Sequence, residues 1–141
     1  MDIDEIMKKL EILSKPQLEK LIENLDHISF NFTINMSYLK YGTHPITIPK
    51  EVYHFLRIHK IAPNQEMRIT FPDGSTATSY IYYGRAGWGE FYQIKVKQTH
   101  SIRGKGASQF SIGDRIKVEI LKPSEGKEIR LSRKQNGIRG T

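Results

Sequence analysis

Residues 66–83 read EMRITFPDGSTATSYIYY, and this segment predicts the fold class. Its two halves, residues 66–71 and 76–83, are rich in the β-branched and aromatic residues that favour strands. Between them stands Pro72-Asp73-Gly74-Ser75, in which the Asp-Gly pair supports the positive φ that a tight hairpin turn needs. The segment therefore predicts a β-hairpin in a mainly β protein.

Further strands are predicted on both sides of this hairpin. Alternating patterns indicate strands at residues 29–35, 46–48, 91–98 and 115–120, and Ile129-Arg130-Leu131 could add one more. Residues 36–44 read as a loop, and Pro49 begins a short helix over residues 50–56. Six or seven short, evenly spaced strands with few helices are typical of a small barrel or pseudobarrel.

The N-terminal segment has a different period. Apolar residues recur at helical spacing between residues 3 and 13 and again between residues 18 and 25. Ser14 and Gln17 have the spacing of a capping box, which predicts the start of a second helix. Residues 1–27 are therefore predicted to form a helical hairpin. Its apolar stripe could cover an open end of the main domain, or it could form a dimer or partner contact.

The charge of the chain is unevenly distributed. Residues 1–28 hold seven acidic and four basic side chains, a balance of −3, whereas residues 29–141 hold eighteen basic and eight acidic ones, a balance of +10. Such a basic segment predicts a polyanionic partner, and nucleic acid would bind with a strong salt dependence. An anionic membrane is the rival partner, and it is disfavoured because no basic amphipathic helix is visible.

Composition excludes several other classes of protein. The 141 residues include no cysteine, which rules out disulfide scaffolds, thiolate zinc sites and cysteine nucleophiles and fits an intracellular protein. No apolar run is long enough to span a bilayer, and the acidic start of the chain is unlike a signal peptide.

Residues 82–92 read YYGRAGWGEFY, with three glycines and one arginine among five aromatic residues. Glycine lets a backbone turn sharply and approach a partner closely. The planar fork of donors on Arg85 matches a guanine edge or a phosphate. In so basic a chain the segment predicts a recognition loop, and the alternative is a hairpin turn with core aromatics on either side.

Three blocks of sequence, taken in order, resemble the DNA-binding pseudobarrel superfamily. They are ITIPK at residues 46–50 with its short helix, the hairpin that leads into Tyr80-Ile81-Tyr82-Tyr83, and SIGDRIKV at residues 111–118. That superfamily includes the plant B-three domain and the recognition or effector domains of bacterial restriction endonucleases. The resemblance implies a seven-stranded open pseudobarrel with short helices over residues 28–121. The helical hairpin would precede it, and residues 122–141 would be a basic strand, tail or linker.

Members of that superfamily place two arms astride the major groove of duplex DNA, and the resemblance implies that the arms are residues 35–44 and 82–90 here. Candidate base-reading residues are Asn35, Lys40, Tyr41, His44, Tyr83, Arg85 and Trp88. Candidate backbone contacts are Lys95, Lys97, Arg103 and Lys105. Arg85 could instead clamp a phosphate, and the aromatic candidates could be packing residues.

One departure from the plant pattern favours a bacterial relative. Plant domains carry Gly-Trp and a following Phe before the final Gly-Asp strand, where this chain has Arg103-Gly104-Lys105-Gly106 and Phe110. The expected protein is the recognition domain of a prokaryotic, cytoplasmic restriction endonuclease, without a cofactor and with cleavage in another domain or subunit. ITIPK also resembles the swapped-hairpin fold of bacterial transition-state regulators, but those domains are shorter and lack the long aromatic segment.

Three other functions remain open from the sequence. Aromatic platforms beside basic grooves also suit a barrel that binds single-stranded nucleic acid or RNA. His44 and His100, with Lys105, could form the acid–base set of a metal-independent nuclease. A structural barrel could bind an acidic protein. A zinc pair is disfavoured, because His54 and His59 are five residues apart and do not share a helix face.

Overall fold

The structure is a computed structural model that describes residues 1–97, 108–122 and 128–134. The helices are α1 (Ile3–Leu10), α2 (Lys15–Glu23), α3 (Met36–Lys40) and α4 (Tyr53–Ile58), with a 3₁₀ turn at Lys50–Val52. The strands are β1 (His27–Thr33), β2 (Ile46–Thr47), β3 (Glu66–Thr70), β4 (Thr76–Ala86), β5 (Gly89–Val96), β6 (Arg115–Leu121) and β7 (Glu128–Arg133). The prediction of a mainly β, seven-stranded open barrel with short helices after an N-terminal helix pair is confirmed.

All seven strands belong to one nearly closed, barrel-like sheet. Their order is β1-β6-β7-β3-β4-β5-β2, so β1 and β2 are the two edges. Every neighbouring pair is antiparallel except β3 and β7, which run parallel. The last strand in the sequence therefore lies inside the sheet, between β6 and β3. The additional strand predicted at Ile129-Arg130-Leu131 is thus present as β7, whereas residues 123–127 and 135–141 of the C-terminal segment lie outside the described residues.

The core lies inside the barrel because side chains alternate along each strand. On β6, Ile116, Val118 and Ile120 are fully buried, whereas Arg115 and Lys117 are exposed. Ile129 and Leu131 on β7 are buried in the same way. The predicted tight turn after β3 is also present, with Gly74 at a φ of +87°.

The N-terminal helix pair packs on the barrel. Ser14 caps α2 with the reciprocal hydrogen bonds of a capping box to Gln17, as predicted. Ile6, Leu18 and Ile22 are buried in the same core as the strands. This agrees with the interpretation of the pair as a cover for the main domain. Met7, Leu10 and Ile12 nevertheless stay exposed.

Two segments predicted as loops have regular structure. Residues 36–40 form the one-turn helix α3, which begins because the Asn35 side chain accepts a hydrogen bond from the backbone N–H of Tyr38. A helix this short contains too few residues to show a helical period. Residues 82–92 continue β4 and β5 up to a two-residue turn at Gly87-Trp88. The recognition segment is therefore a hairpin.

Candidate nucleic-acid interface

The hairpin of β4 and β5 extends beyond the rest of the sheet. The two strands pair from Ser79–Val96 to Ala86–Gly89. On one side, β3 pairs with β4 only as far as Tyr80. On the other side, β2 and Ile48 reach β5 only as far as Tyr92. Among the described residues, the segment 84–91 is thus a ribbon of two strands without a third. This segment is called the ribbon below.

The two faces of the hairpin follow from the alternation along its strands. Ile81 and Ile94 are buried in the barrel, so Tyr83 and Arg85 on β4, with Tyr92 and Glu90 on β5, continue the same face. This face is called the core-side face, and the opposite one is the outer face. The outer face carries Tyr82 and Gly84 on β4, with Phe91, Gln93 and Lys95 on β5.

The core-side face of the hairpin is polar near its tip and aromatic near the barrel. Arg85 lies directly opposite Glu90, with 3.4 Å between the guanidinium nitrogen and the carboxylate oxygen, and the two side chains are 77% and 55% exposed. Interaction of the Tyr83 hydroxyl with the same carboxylate raises the pKa of Tyr83. The Tyr83 ring also lies 5.2 Å from the ring of Tyr92. Arg85 is therefore accessible and held by a neighbouring anion.

The outer face carries a row of aromatic rings that ends in a cation. Trp88, 72% exposed in the turn, lies 5.4 Å from Phe91, and Phe91 lies 6.0 Å from Tyr82 between ring centroids. The Lys95 ammonium is 3.8 Å from the centre of the Tyr82 ring. This set of Trp88, Phe91, Tyr82 and Lys95 is called the aromatic row. Its exposed end is the Trp88 indole.

The first predicted arm, residues 35–44, is α3 and the loop that follows it. Asn35 is exposed, but its side-chain oxygen is occupied in capping α3. Lys40 and Tyr41 are exposed, and the Lys40 ammonium lies 5.9 Å from the Tyr41 ring. These two side chains are available to a partner. Asn35 has the simpler role of a helix cap.

His44 does not lie on the surface. It is 5% exposed, and its ring lies 4.9 Å from the buried ring of Tyr38. Its Nδ1 is 2.8 Å from the Tyr38 carbonyl oxygen, which accepts a hydrogen bond when that nitrogen is protonated. Burial against α3 therefore argues against the prediction that His44 reads bases. It also places one partner of the predicted nuclease pair in the core, and the other, His100, lies outside the described residues.

The two arms are not close together in the structure. The Thr43 carbonyl accepts from the backbone N–H of Val96, at the end of β5, whereas the turn at Gly87-Trp88 precedes its start. Seven residue steps at the usual strand rise separate these two ends by roughly 20 Å. The arms therefore lie at opposite ends of β5, and a single base step cannot touch both.

The predicted backbone contacts differ in their surroundings. Lys97 is exposed and forms an ion pair with Glu66 at 2.8 Å, and this hydrogen bond raises the pKa of Lys97. Lys95 is partly buried against Tyr82. Both side chains lie on the outer face of the hairpin or its continuation, as predicted for a shared strand face. Arg103 and Lys105 lie outside the described residues.

Neither a metal-binding cluster nor a membrane-spanning helix is present in the part of the chain that the structure describes. No group of three or more histidine and acidic side chains there is arranged to hold a metal ion. No helix in these ranges has the length and apolar character needed to cross a membrane.

No protein-family model matches the chain, and no match was found among curated proteins. The resemblance to the DNA-binding pseudobarrel superfamily thus rests on the three sequence blocks, and the barrel-like sheet is the part of it that the structure supports.

Sequence reasoning missed two features of this surface. Glu90 was within the predicted arm but was not among the candidate contacts, although an acid five residues from Arg85 across a short turn is a signal of a cross-strand pair. The role of Gly84 was also missed. A Cβ there would lie 2.4 Å from the Phe91 ring, so this glycine makes room for an aromatic ring of the same chain.

Proposed function

We propose that this chain binds double-stranded DNA and that the ribbon enters the major groove. The observation that carries the proposal is a two-stranded ribbon that extends beyond the barrel with Arg85 and Trp88 exposed near its tip. The major groove of B-DNA is wide enough to admit such a ribbon. The balance of +10 over residues 29–141 supplies the attraction for phosphates.

The positions of the two arms suggest how the duplex lies. With the ribbon at one end of β5 and Lys40 and Tyr41 at the other, the arms are roughly 20 Å apart. At about 3.4 Å per base pair, the two contacts would fall about six base pairs apart. The duplex axis then runs roughly along β5.

In this proposal the chain is the recognition domain of a prokaryotic restriction endonuclease in the cytoplasm. Cleavage would belong to another domain or subunit, and binding would need no cofactor. The support is the resemblance of the three sequence blocks, together with the barrel-like sheet from which the ribbon extends.

The experiment is a binding selection from random duplex oligonucleotides, followed by affinity measurements at two salt concentrations. Arg85→Ala should reduce affinity for the selected sequence about 5- to 150-fold and affinity for random duplex much less, because it removes a base contact. Lys97→Ala, at an exposed candidate backbone contact, should weaken both to a similar degree and lower the salt slope by about one, because it removes a phosphate contact. Equal losses for Arg85→Ala on all sequences would contradict base reading by the ribbon.

A second candidate function is binding of single-stranded DNA or RNA, and the aromatic row favours it. The exposed Trp88 indole and the partly exposed rings beside it provide stacking surfaces for unpaired bases. Competition between duplex and single strand in a gel shift separates the two functions. If single strands win, Trp88→Ala should weaken binding by about 1–3 kcal/mol, whereas the duplex proposal expects the duplex to win.

A further inference from the structure

A carboxylate at the tip of a DNA-binding ribbon needs an explanation. Glu90 would repel phosphates, and an exposed ion pair such as Arg85–Glu90 adds little to stability. Glu90 nevertheless lies directly opposite Arg85 and is paired with its guanidinium. The arrangement presents donors and acceptors side by side on an accessible face.

A G·C base pair presents the complementary pattern in the major groove. Guanine offers its N7 and O6 as acceptors, and cytosine offers its N4 amino group as a donor. Arginine has only donors, and an ionised glutamate has only acceptors. An A·T pair fits less well, because its order is acceptor, donor, acceptor and methyl.

The spacing also agrees. Guanine O6 and cytosine N4 are joined by a hydrogen bond, so they are about 2.9 Å apart. The nitrogen of Arg85 and the oxygen of Glu90 are 3.4 Å apart. Two neighbouring protein atoms therefore match two neighbouring base atoms of opposite hydrogen-bonding character.

We infer that Arg85 and Glu90 together read one G·C base pair, Arg85 on guanine and Glu90 on the cytosine amino group. This inference rests on the proposed binding of duplex DNA. It predicts that the selected sequence contains a G·C pair at the position where the Arg85→Ala substitution removes the sequence preference.

The test removes the amino group from the base and the carboxylate from the protein. In the selected duplex, the cytosine of that pair is replaced by 2-pyrimidinone, which lacks the N4 amino group. The affinity of the unaltered chain should fall roughly fivefold or more, because that is the smallest effect expected from loss of a specific base contact. The Glu90→Ala variant should show no further loss on the same replacement. Circular dichroism checks that the variant is folded.

The matched control is Glu66→Ala, which also removes an exposed carboxylate from an ion pair with a cation, Lys97. This variant should keep the full sensitivity to 2-pyrimidinone. If the selected sequences contain no G·C pair at the position where Arg85→Ala removes the preference, or if Glu90→Ala keeps that sensitivity, the pair reading is overturned while duplex binding stands. Failure of the unaltered chain to bind any duplex would instead overturn the proposed function.

Discussion

Gly84 shows how one residue sets the shape of the ribbon. It pairs with Phe91 across the hairpin, and an added Cβ would lie 2.4–2.9 Å from three atoms of the Phe91 ring. The ring of Phe91 therefore lies across the glycine, between Trp88 and Tyr82 in the aromatic row. From the sequence, the glycines of this segment were expected to let a partner approach closely. Gly84 instead makes room for a ring of the ribbon itself.

The first prediction concerns this contact. Gly84→Ala should lower the free energy of unfolding by about 1–3 kcal/mol, because the Phe91 ring must move to admit a methyl group. Urea unfolding followed by circular dichroism measures the loss. Trp88 is the single tryptophan of the chain, so its fluorescence should also change as Phe91 shifts.

The control for this prediction is Gly87→Ala in the neighbouring turn. An added Cβ at Gly87 meets nothing within 4 Å, so the stability should change little. Equal effects of the two substitutions would contradict the role assigned to Gly84.

At the scale of elements, the junction between β3 and β7 is held by a partly buried acid. Glu128 on β7 accepts from Arg130 at 2.8 Å and from Arg68 and Thr70 of β3 at 3.3 Å each. Its side chain is 13% exposed. The hydrogen bond from Arg130, assisted by its charge and by Arg68 and Thr70, lowers the pKa of Glu128. The parallel pair thus has an ionic contact across it in addition to its backbone ladder.

A pH dependence follows from that lowered pKa. The ionised form of Glu128 stabilises the folded state above the ordinary glutamate value of 4.5, and this contribution is lost as the pH falls through the lowered folded value. Glu128→Gln should therefore reduce stability at pH 7 by about 1–3 kcal/mol. The difference from the unaltered chain should shrink in acid.

Urea midpoints of both proteins between pH 7 and the acid range provide the measurement. Glu23→Gln, at an exposed position of α2, is the control and should change the midpoint little. If the difference in stability between Glu128→Gln and the unaltered chain stays constant with pH, the contact is not ionic.

The sequence predicted the elements whose signal is local. The Asp73-Gly74 turn, the capping box of Ser14 and the alternation in β6 each depend on near neighbours, and all three were found. It did not predict α3, because the helix is a single turn fixed by the cap from Asn35 and by burial of Tyr38. It did not predict the burial of the His44 ring for the same reason, since that burial depends on α3.

The segment predicted to be a recognition loop has a different form in the structure, because it is a hairpin. The glycines among the aromatics suggested a loop, but cross-strand contacts such as Gly84 with Phe91 and Arg85 with Glu90 extend β4 and β5 through the whole segment. These contacts depend on the strand register, which composition does not reveal.

On the scale of the whole molecule, the helix pair and the barrel share one core. Ile22 of α2 is fully buried, and the backbone carbonyl of the same residue lies 2.9 Å from His59 Nε2, just after α4. Residues 1–27 are therefore bound to the barrel by packing and by a polar contact. Their removal would expose buried strand and helix surface.

The corresponding prediction compares two isoleucines. Ile22→Ala should lower the free energy of unfolding by about 2–5 kcal/mol, because it leaves a cavity in the shared core. Ile12→Ala, at a side chain that is 78% exposed, should have almost no effect. A single cooperative unfolding transition is expected for all three proteins. Separate transitions for helices and barrel would contradict a shared core.

The central position of β7 has a consequence for synthesis on the ribosome. Until residues 128–133 leave the exit tunnel, β6 and β3 have no strand between them, and the sheet exists as two unconnected parts. Each part then presents an open edge to other nascent chains, which is a route to aggregation. The sheet can be completed only after translation has passed Arg133, so a chain terminated before that codon would be prone to misassembly.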